Sequence, residues 1–152
     1  NNDWKALHGY YSDPAAMRYT VGQPLTEGAT WRAMASMVGH WQLHGYGPYC
    51  VTQKKDSKIV GVVGFWYPAD WPEPEIKWGL IPKFWGQGFA SEAARQVLQV
   101  GLEHLPHLRL ISFIDARNQS SIHVATAMGA TLEKEVDFRD ARFQIYRHRR
   151  RK

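Results

Sequence analysis

The sequence has little cysteine and no long apolar run, and each shortage excludes a class of protein. Cys50 is the one cysteine among 152 residues, so an intrachain disulfide cannot form and a reducing, cytoplasmic setting is expected. No apolar stretch approaches the ~18–20 residues of a membrane span, and no signal-peptide pattern opens the chain. We therefore expect no membrane partner and a single domain over residues 1–152.

Negative charge is absent from the C-terminal end of the chain. The net charge is +5, and residues 147–152 carry five positive charges with no carboxylate, so the other 146 residues are neutral overall. A terminal charge run of this kind is typical of a solvated end. The sequence thus predicts a basic tail over residues 147–152 and makes a nucleic-acid partner unlikely, although a basic-tail nucleic-acid binder remains a distant alternative.

Several ligand-binding motifs are also missing. The chain has no G-x-x-x-x-G-K-[ST] phosphate loop and no G-x-G-x-x-G with a partner acid, which excludes the usual nucleotide and dinucleotide fingerprints. His40 and His44 stand four residues apart on a predicted helix, but no H-E-x-x-H or cysteine partner accompanies them. No metal is therefore expected.

Apolar periodicity predicts alternating helices and strands. Helices are predicted over residues 3–11, 26–44, 90–104 and 118–128, and strands over residues 49–53, 59–66, 75–81, 108–115, 131–138 and 142–147. Asp3 and Thr26 are the expected N-caps of the first two helices. In the second helix a stripe is expected to face the core, and it comprises Trp31, Met34, Ala35, Val38 and Trp41. The order predicts a mixed α/β fold with one parallel strand pair and a C-terminal hairpin across Arg139 and Asp140.

The most informative stretch is a glycine-containing turn between a predicted strand and a predicted helix. Gly86 and Gly88 stand immediately before the helix that begins near Ala90. A helix N-terminus offers free backbone N–H groups and a partial positive charge, so such turns bind phosphates. A turn that glycine makes only for tight packing is the alternative reading of the same residues.

This stretch resembles the acetyl-CoA-binding motif of the GNAT superfamily of N-acetyltransferases. The motif [RQ]-x-x-G-x-[GA] appears as Lys83-x-x-Gly86-x-Gly88, with lysine at the first position. The fuller string Trp-Gly-x-Gly-Phe-Ala-x-Glu-Ala over residues 85–93 is similar to the Rim-type branch, which includes ribosomal-protein N-terminal acetyltransferases. Glu75-Ile76-x-Trp78 and Asn118-x-x-Ser121 also match that branch, and the resemblance spans residues 12–146.

The resemblance implies a fold, an activity and a co-substrate. It implies a central, mostly antiparallel sheet with a parallel pair at the cofactor-binding strand, loop and helix. Members usually begin with a strand before the first helix, and that strand is expected to be missing or truncated here. Acetyl-CoA would be the co-substrate, attacked directly by a primary amine, so Cys50 is not expected to be a nucleophile. Monomer or homodimer is expected.

The acceptor stays open at this stage. A protein N-terminal α-amine is the first choice that the resemblance implies. A polyamine, an antibiotic or a metabolite amine is the close alternative, and a non-catalytic acyl-CoA-binding regulatory module is the alternative from another class.

The resemblance also assigns candidate cofactor contacts. Leu80 and Ile81 would offer backbone hydrogen bonds to pantetheine, Lys83 would face the phosphates, and Asn118 would bind the pantetheine arm. The pyrophosphate would lie against the backbone of the loop residues, which are Trp85, Gly86, Gln87, Gly88, Phe89 and Ala90.

Two residues are candidates for proton transfer. Glu75, set among tryptophans, is the expected base or water-positioning group, since apolar surroundings raise a carboxyl pKa toward neutrality; an ion pair with Lys77 is the alternative. Many GNAT enzymes place a tyrosine acid at the position of Ala125, so the resemblance implies Ser121 as proton donor instead. Helix capping is the alternative role for both Ser121 and Asn118.

Overall fold

The computed structural model describes residues 2–149. The helices are α1 Asp3–Tyr11, α2 Pro14–Met17, α3 Glu27–His44, α4 Phe89–His104 and α5 Gln119–Ala127, with a 3₁₀ turn over Pro82–Phe84. The strands are β1 Pro48–Thr52, β2 Ile59–Trp66, β3 Glu75–Leu80, β4 Ile111–Asp115, β5 Thr131–Phe138 and β6 Ala141–Arg147. No helix within residues 2–149 has both the length and the apolar character needed to cross a membrane.

The six strands form one sheet in the order β1-β2-β3-β4-β6-β5. Neighbours run antiparallel at every pairing except β3 with β4, which run parallel. The connection from β3 to β4 passes through α4, the crossover that a parallel pair requires. The expected mixed α/β class, the parallel pair and the C-terminal hairpin are therefore confirmed.

Strand β2 is buried on both faces, which explains its nearly continuous apolar sequence. Val60 and Val62 pack with α1 and α3 on one face of the sheet, whereas Val63 and Phe65 pack with α4 on the other. Successive side chains of a strand point to opposite faces, so a strand covered on both sides needs apolar residues at every position.

The predicted inner face of α3 is only partly correct, since Met34, Ala35 and Trp41 are partly buried but Trp31 and Val38 are exposed. Trp31 is 52% exposed and Val38 is 64% exposed, while the residues that turn inward include Thr30 and His40. These polar side chains have partners: Thr30 Oγ1 lies 2.8 Å from His8 Nδ1, and His40 Nε2 accepts from the Tyr67 amide at 2.9 Å. Hydrophobicity alone therefore misplaced the face by about one residue.

The helix starts were predicted unevenly. Thr26 caps α3 as expected, accepting a hydrogen bond from the Ala29 amide at 3.2 Å. Asp3, however, lies inside the first turn of α1, where its charge suits the helix dipole, and Asn2 holds the cap position. The short helix α2 was not predicted, although Asp13 caps it and Pro14 begins it.

The basic tail predicted over residues 147–152 does not begin at Arg147. Arg147 ends β6 with its side chain 8% exposed, and it bonds Glu73 at 2.6 Å and Glu133 at 2.7 Å. His148 is buried as well. Two carboxylates distant in the sequence therefore draw this charge into the fold, and residues 150–152 lie outside the described part of the chain.

Candidate active site

Strands β3 and β4 separate almost as soon as they meet. Glu75 and Ile111 are their one register pair, and the Ile111 amide donates to the Pro74 carbonyl at 3.0 Å. Beyond that point the strands diverge, and a cleft of about 340 Å³ opens beside them. Its walls come from α1, α3, β3, β4, the start of α5 and the β5–β6 hairpin.

Glu75 lies in this cleft and is 6% exposed. Its Oε1 accepts a hydrogen bond from the Trp71 indole at 2.8 Å, and its Oε2 accepts one from the Phe113 amide at 3.2 Å. Burial raises the pKa of the carboxyl to about 7, although Lys77 and both hydrogen bonds act in the opposite direction. The group is therefore able to exchange a proton near neutral pH.

Glu75 and Lys77 form no salt bridge within 4.0 Å, although the charge of each acts on the pKa of the other. Lys77 Nζ lies 4.5 Å from the centre of the Trp66 ring, and no salt bridge within 4.0 Å joins Lys77 to a carboxylate among residues 2–149. Burial lowers the pKa of Lys77, while the charge of Glu75 raises it. Lys77 is thus a partly buried amine in the same cleft as the candidate base.

Asn118 and Ser121 line the cleft at the start of α5. Asn118 Oδ1 accepts from the Ser121 amide at 3.2 Å and from Ser120 Oγ at 3.0 Å. Asn118 is therefore the helix cap, whereas Ser121 takes part in the cap through its backbone and not through its hydroxyl. The structure brings Glu75, Asn118 and Ser121 to one cleft.

The glycine loop lies at the end of β3, where α4 begins. Gly86 has a φ of 71° and Gly88 a φ of 84°, values that favour glycine, and a Cβ atom at either position would meet no atom within 4 Å. The first helical bond of α4 joins the Glu92 amide to the Gly88 carbonyl, so the N–H groups just before Glu92 have no acceptor within the helix. Open space in front of free donors suits an anionic group.

The loop and the cleft adjoin without overlapping. None of the described residues that line the cleft belongs to residues 80–90. The carboxyl ends of two parallel strands meet at one edge of a sheet, so the starts of α4 and α5 both lie at the edge where β3 and β4 diverge. A long ligand at the loop would reach the cleft between the separating strands.

The backbone expected to contact pantetheine is partly engaged already. The Ile81 amide donates to the Val60 carbonyl at 2.9 Å, and the Ile81 carbonyl accepts from the Phe84 amide at 2.9 Å. The Leu80 carbonyl accepts from the Trp85 indole at 2.8 Å. The Ile81 backbone is therefore engaged within the fold, and strand alternation directs the backbone groups of Trp78 and Leu80 away from β2, toward β4.

Other charged and reactive groups are bound elsewhere or lie outside the cleft. Arg117 is held by both oxygens of Asp115, at 3.0 and 2.7 Å, and Lys83 is exposed on the 3₁₀ turn. Cys50 is exposed on β1, and partial desolvation raises its thiol pKa. Both ring nitrogens of His40 have backbone partners, and no three metal-binding side chains cluster among the residues described.

Sequence reasoning missed several parts of the cleft. Tyr10 of α1 lines it, and burial together with the charge of Glu75 raises its pKa to about 12, so its hydroxyl stays protonated. Phe138 and Phe143 come from the distant β5–β6 hairpin and pack against Phe113. Only the pairing of β4 with β6 brings these rings to Glu75, and no local pattern signals it.

Comparison with known proteins identifies the class. A family model described as the acetyltransferase (GNAT) domain matches residues 1–131, most of the chain. The chain therefore belongs to the GNAT acetyltransferases, and the fold and the enzyme class expected from the sequence are confirmed.

Two similar proteins cover nearly the whole chain. The uncharacterized N-acetyltransferase p20 of Bacillus licheniformis is 28% identical over 140 residues, which cover 91% of this chain and 78% of that protein. The acetyltransferase of Agrobacterium tumefaciens strain C58 superimposes with a TM-score of 0.86 at 26% identity, covering 97% of this chain and 85% of that structure.

A structure of lower sequence identity shares the same fold. The ribosomal L7/L12 alpha-N-protein acetyltransferase RimL, in complex with coenzyme A, has a TM-score of 0.76 at 20% identity and covers 97% of this chain and 88% of that one. At that identity the likeness concerns the fold alone.

Proposed function

We propose that this acetyltransferase moves the acetyl group of acetyl-CoA to a primary amine by direct attack, and that it belongs to the Rim-type branch. The observation that carries the proposal is the position of Glu75. It is a buried carboxyl with a pKa of about 7, in a cleft that also holds Ser121 and opens between β3 and β4.

The glycine loop supports the choice of co-substrate. The Trp85 amide is bonded to the Pro82 carbonyl, so the backbone of residues 86–90 would present the donors and the open space for a pyrophosphate. Lys83 and Asn118 lie at the same edge. The backbone of Trp78, which lines the cleft, and the amide of Leu80 would bond an extended pantetheine arm. These contacts would hold the thioester beside Glu75.

Glu75 would take the proton that the attacking amine must lose. The amine nitrogen forms a bond to the thioester carbonyl carbon, the C–S bond breaks, and coenzyme A leaves as a thiolate. The Trp71 indole and the Phe113 amide orient the carboxylate of Glu75 toward its task. Ser121, which also lines the cleft, would protonate the thiolate.

The test is direct. Purified protein with acetyl-CoA should release coenzyme A when given N-terminal peptides, polyamines or other small amines, and mass spectrometry should find the acetylated product. If coenzyme A raises the melting temperature but no amine in a broad panel is acetylated, the binding-module alternative replaces catalysis.

A further inference from the structure

The carboxylates of the cleft are already satisfied. Asp70 pairs with Arg139 at 2.7 Å, Asp115 pairs with Arg117 at 2.7 Å, and Glu75 accepts two hydrogen bonds. A site for a polycation presents free carboxylates to the additional ammonium groups. The cleft offers none among the residues that the structure describes.

Lys77 lines the cleft and forms no ion pair with a described residue. It lies two residues after Glu75 on β3 and on the same face, about 7 Å further along the strand. Within residues 2–149 its ammonium contacts the face of Trp66 at 4.5 Å, and no carboxylate lies within 4.0 Å. A partly buried ammonium that forms no ion pair has lost part of its hydration, and an incoming anion would compensate for that loss.

An aromatic wall adjoins Glu75 in the cleft. It consists of Trp71, Phe113, Phe138 and Phe143, whose ring centres are 4.7 to 5.9 Å apart. Trp71 also bonds Glu75, so the wall begins at the candidate base. An aromatic or other apolar group placed against these rings would bury apolar surface without removing a polar group from water.

We propose that the acceptor is a free α-amino acid with an aromatic or large apolar side chain, and that Lys77 binds its carboxylate. The inference rests on the proposed function and names its substrate class. The amine would face Glu75, the carboxylate would face Lys77, and the side chain would lie against the aromatic wall. One acceptor then satisfies the base, the unpaired ammonium and the apolar surface together.

The competing acceptors satisfy fewer of these groups. A polyamine brings a second positive charge toward Lys77 and is repelled. A peptide N-terminus carries an uncharged amide where the amino acid carries its carboxylate, so the ammonium of Lys77 would stay unpaired.

The test compares acids with the same amines lacking the acid. Phenylalanine, tryptophan, leucine and methionine are each assayed against their decarboxylated amines, with spermidine and an N-terminal peptide alongside. We expect kcat/KM to favour at least one acid over its amine by roughly 10- to 100-fold, the value of a hydrogen bond to a charged group. Lys77→Met should bring that ratio close to one, and Lys77→Arg should preserve most of it.

Controls separate this inference from the proposed function. Lys55→Met removes an exposed charge on the turn before β2 and should leave the ratio unchanged. Calorimetry with coenzyme A present measures binding of the same acids and amines independently of turnover. Acid binding that needs Lys77 but gives no product would support the site and overturn catalysis. Equal or tighter binding of the amines, the peptide or spermidine would overturn the inference.

Discussion

Glu75 is both buried and held by hydrogen bonds, and these two influences shift the pKa of a carboxyl in opposite directions. Its burial disfavours the charged form and raises the pKa to about 7, while the Trp71 indole and the Phe113 amide hold its oxygens in one orientation. A base needs both features, because it must lose its proton near neutral pH and still point at the amine.

Replacing Glu75 with glutamine keeps the volume of the side chain but removes the proton acceptor. We expect Glu75→Gln to lower kcat by ~10²–10⁴-fold at neutral pH, with affinity for coenzyme A retained. The rate of the unmodified enzyme should rise with pH through about 7, as the carboxyl ionises. Steady-state kinetics between pH 5.5 and 9 measure both effects, and a loss below about threefold would assign Glu75 to structure.

Stability gives an independent check on the same residue. The folded pKa is raised, so this group stabilises the fold fully below its ordinary value of 4.5 and loses that contribution as the pH rises through about 7. Glu75→Gln lacks the titration. As the pH rises from 4.5 to about 7, the free energy of unfolding of the unmodified protein should therefore fall relative to that of Glu75→Gln. A difference between the two proteins that does not change with pH would argue against the raised pKa.

Ser121 can be tested against its neighbour in the same turn. Ser121→Ala should slow turnover, because the hydroxyl lines the cleft, and should leave the melting temperature within a few degrees, because Asn118 is the cap. Ser120→Ala is the control, since that exposed hydroxyl contacts the cap and not the cleft. Equal effects of the two variants on turnover would remove Ser121 from the reaction.

At the scale of elements, the start of α4 depends on a backbone conformation that few residues adopt. Gly88 has a φ of 84°, and an L side chain in that region costs roughly 1–2 kcal/mol. Nothing within 4 Å would block a Cβ atom there, so the space in front of the helix is free for a ligand.

Coenzyme A should raise the melting temperature of the native protein, by several degrees at ~100 times its Kd, where binding adds roughly 2.7 kcal/mol. Gly88→Val should abolish most of that shift in differential scanning fluorimetry. Gly45→Val is the matched control, since Gly45 has a φ of 72° and open space at the far end of α3. Gly45→Val should melt at a lower temperature than the native protein but keep the increase caused by coenzyme A. If Gly88→Val shows the full increase as well, the glycine loop serves only for packing.

The elements differ in how far the sequence could predict them. A strand such as β2, which is buried on both faces, has an unbroken apolar sequence, so its position was predictable. The inner face of α3 was not, because Thr30 and His40 are buried only through partners that lie far away in the chain. The sequence also named Glu75, Asn118 and Ser121, which share one cleft, and their roles stay predictions. The places of Lys77 and of the hairpin phenylalanines in that cleft depend on tertiary packing, which no local pattern signals.

At the scale of the whole molecule, Arg147 ties together segments that are distant in the sequence. From the end of β6 it bonds Glu73, just before β3, Glu133 on β5, and the Arg109 carbonyl before β4. Removing one partner of such a buried group leaves the others uncompensated.

Arg147→Leu should therefore lower the melting temperature by several degrees. Arg147 holds the pKa of Glu133 at about 2 and lowers that of Glu73, so the native protein keeps this contribution above about pH 4.5 and loses it as the pH falls toward 2. Thermal melts between pH 2.5 and 7 should show that dependence in the native protein and a weaker one in the variant. Arg142→Leu, which breaks exposed pairs on the same hairpin, should change little.

The early separation of β3 and β4 has a mechanical consequence. The halves of the sheet, β1–β3 and β4–β6, are joined along the strands by a single register pair, supplemented by Glu75 Oε2 with the Phe113 amide and by Ser112 Oγ with the Ile76 carbonyl. An extended ligand arm lying in the gap would act as a seventh, removable strand. Amide hydrogen exchange along the facing edges of β3 and β4 would then slow whenever the gap is filled. The Glu75 carboxylate, proposed to act as the base, also forms one of the hydrogen bonds that join the two halves of the sheet. Binding of the ligand would therefore also stabilise the contact between the two halves.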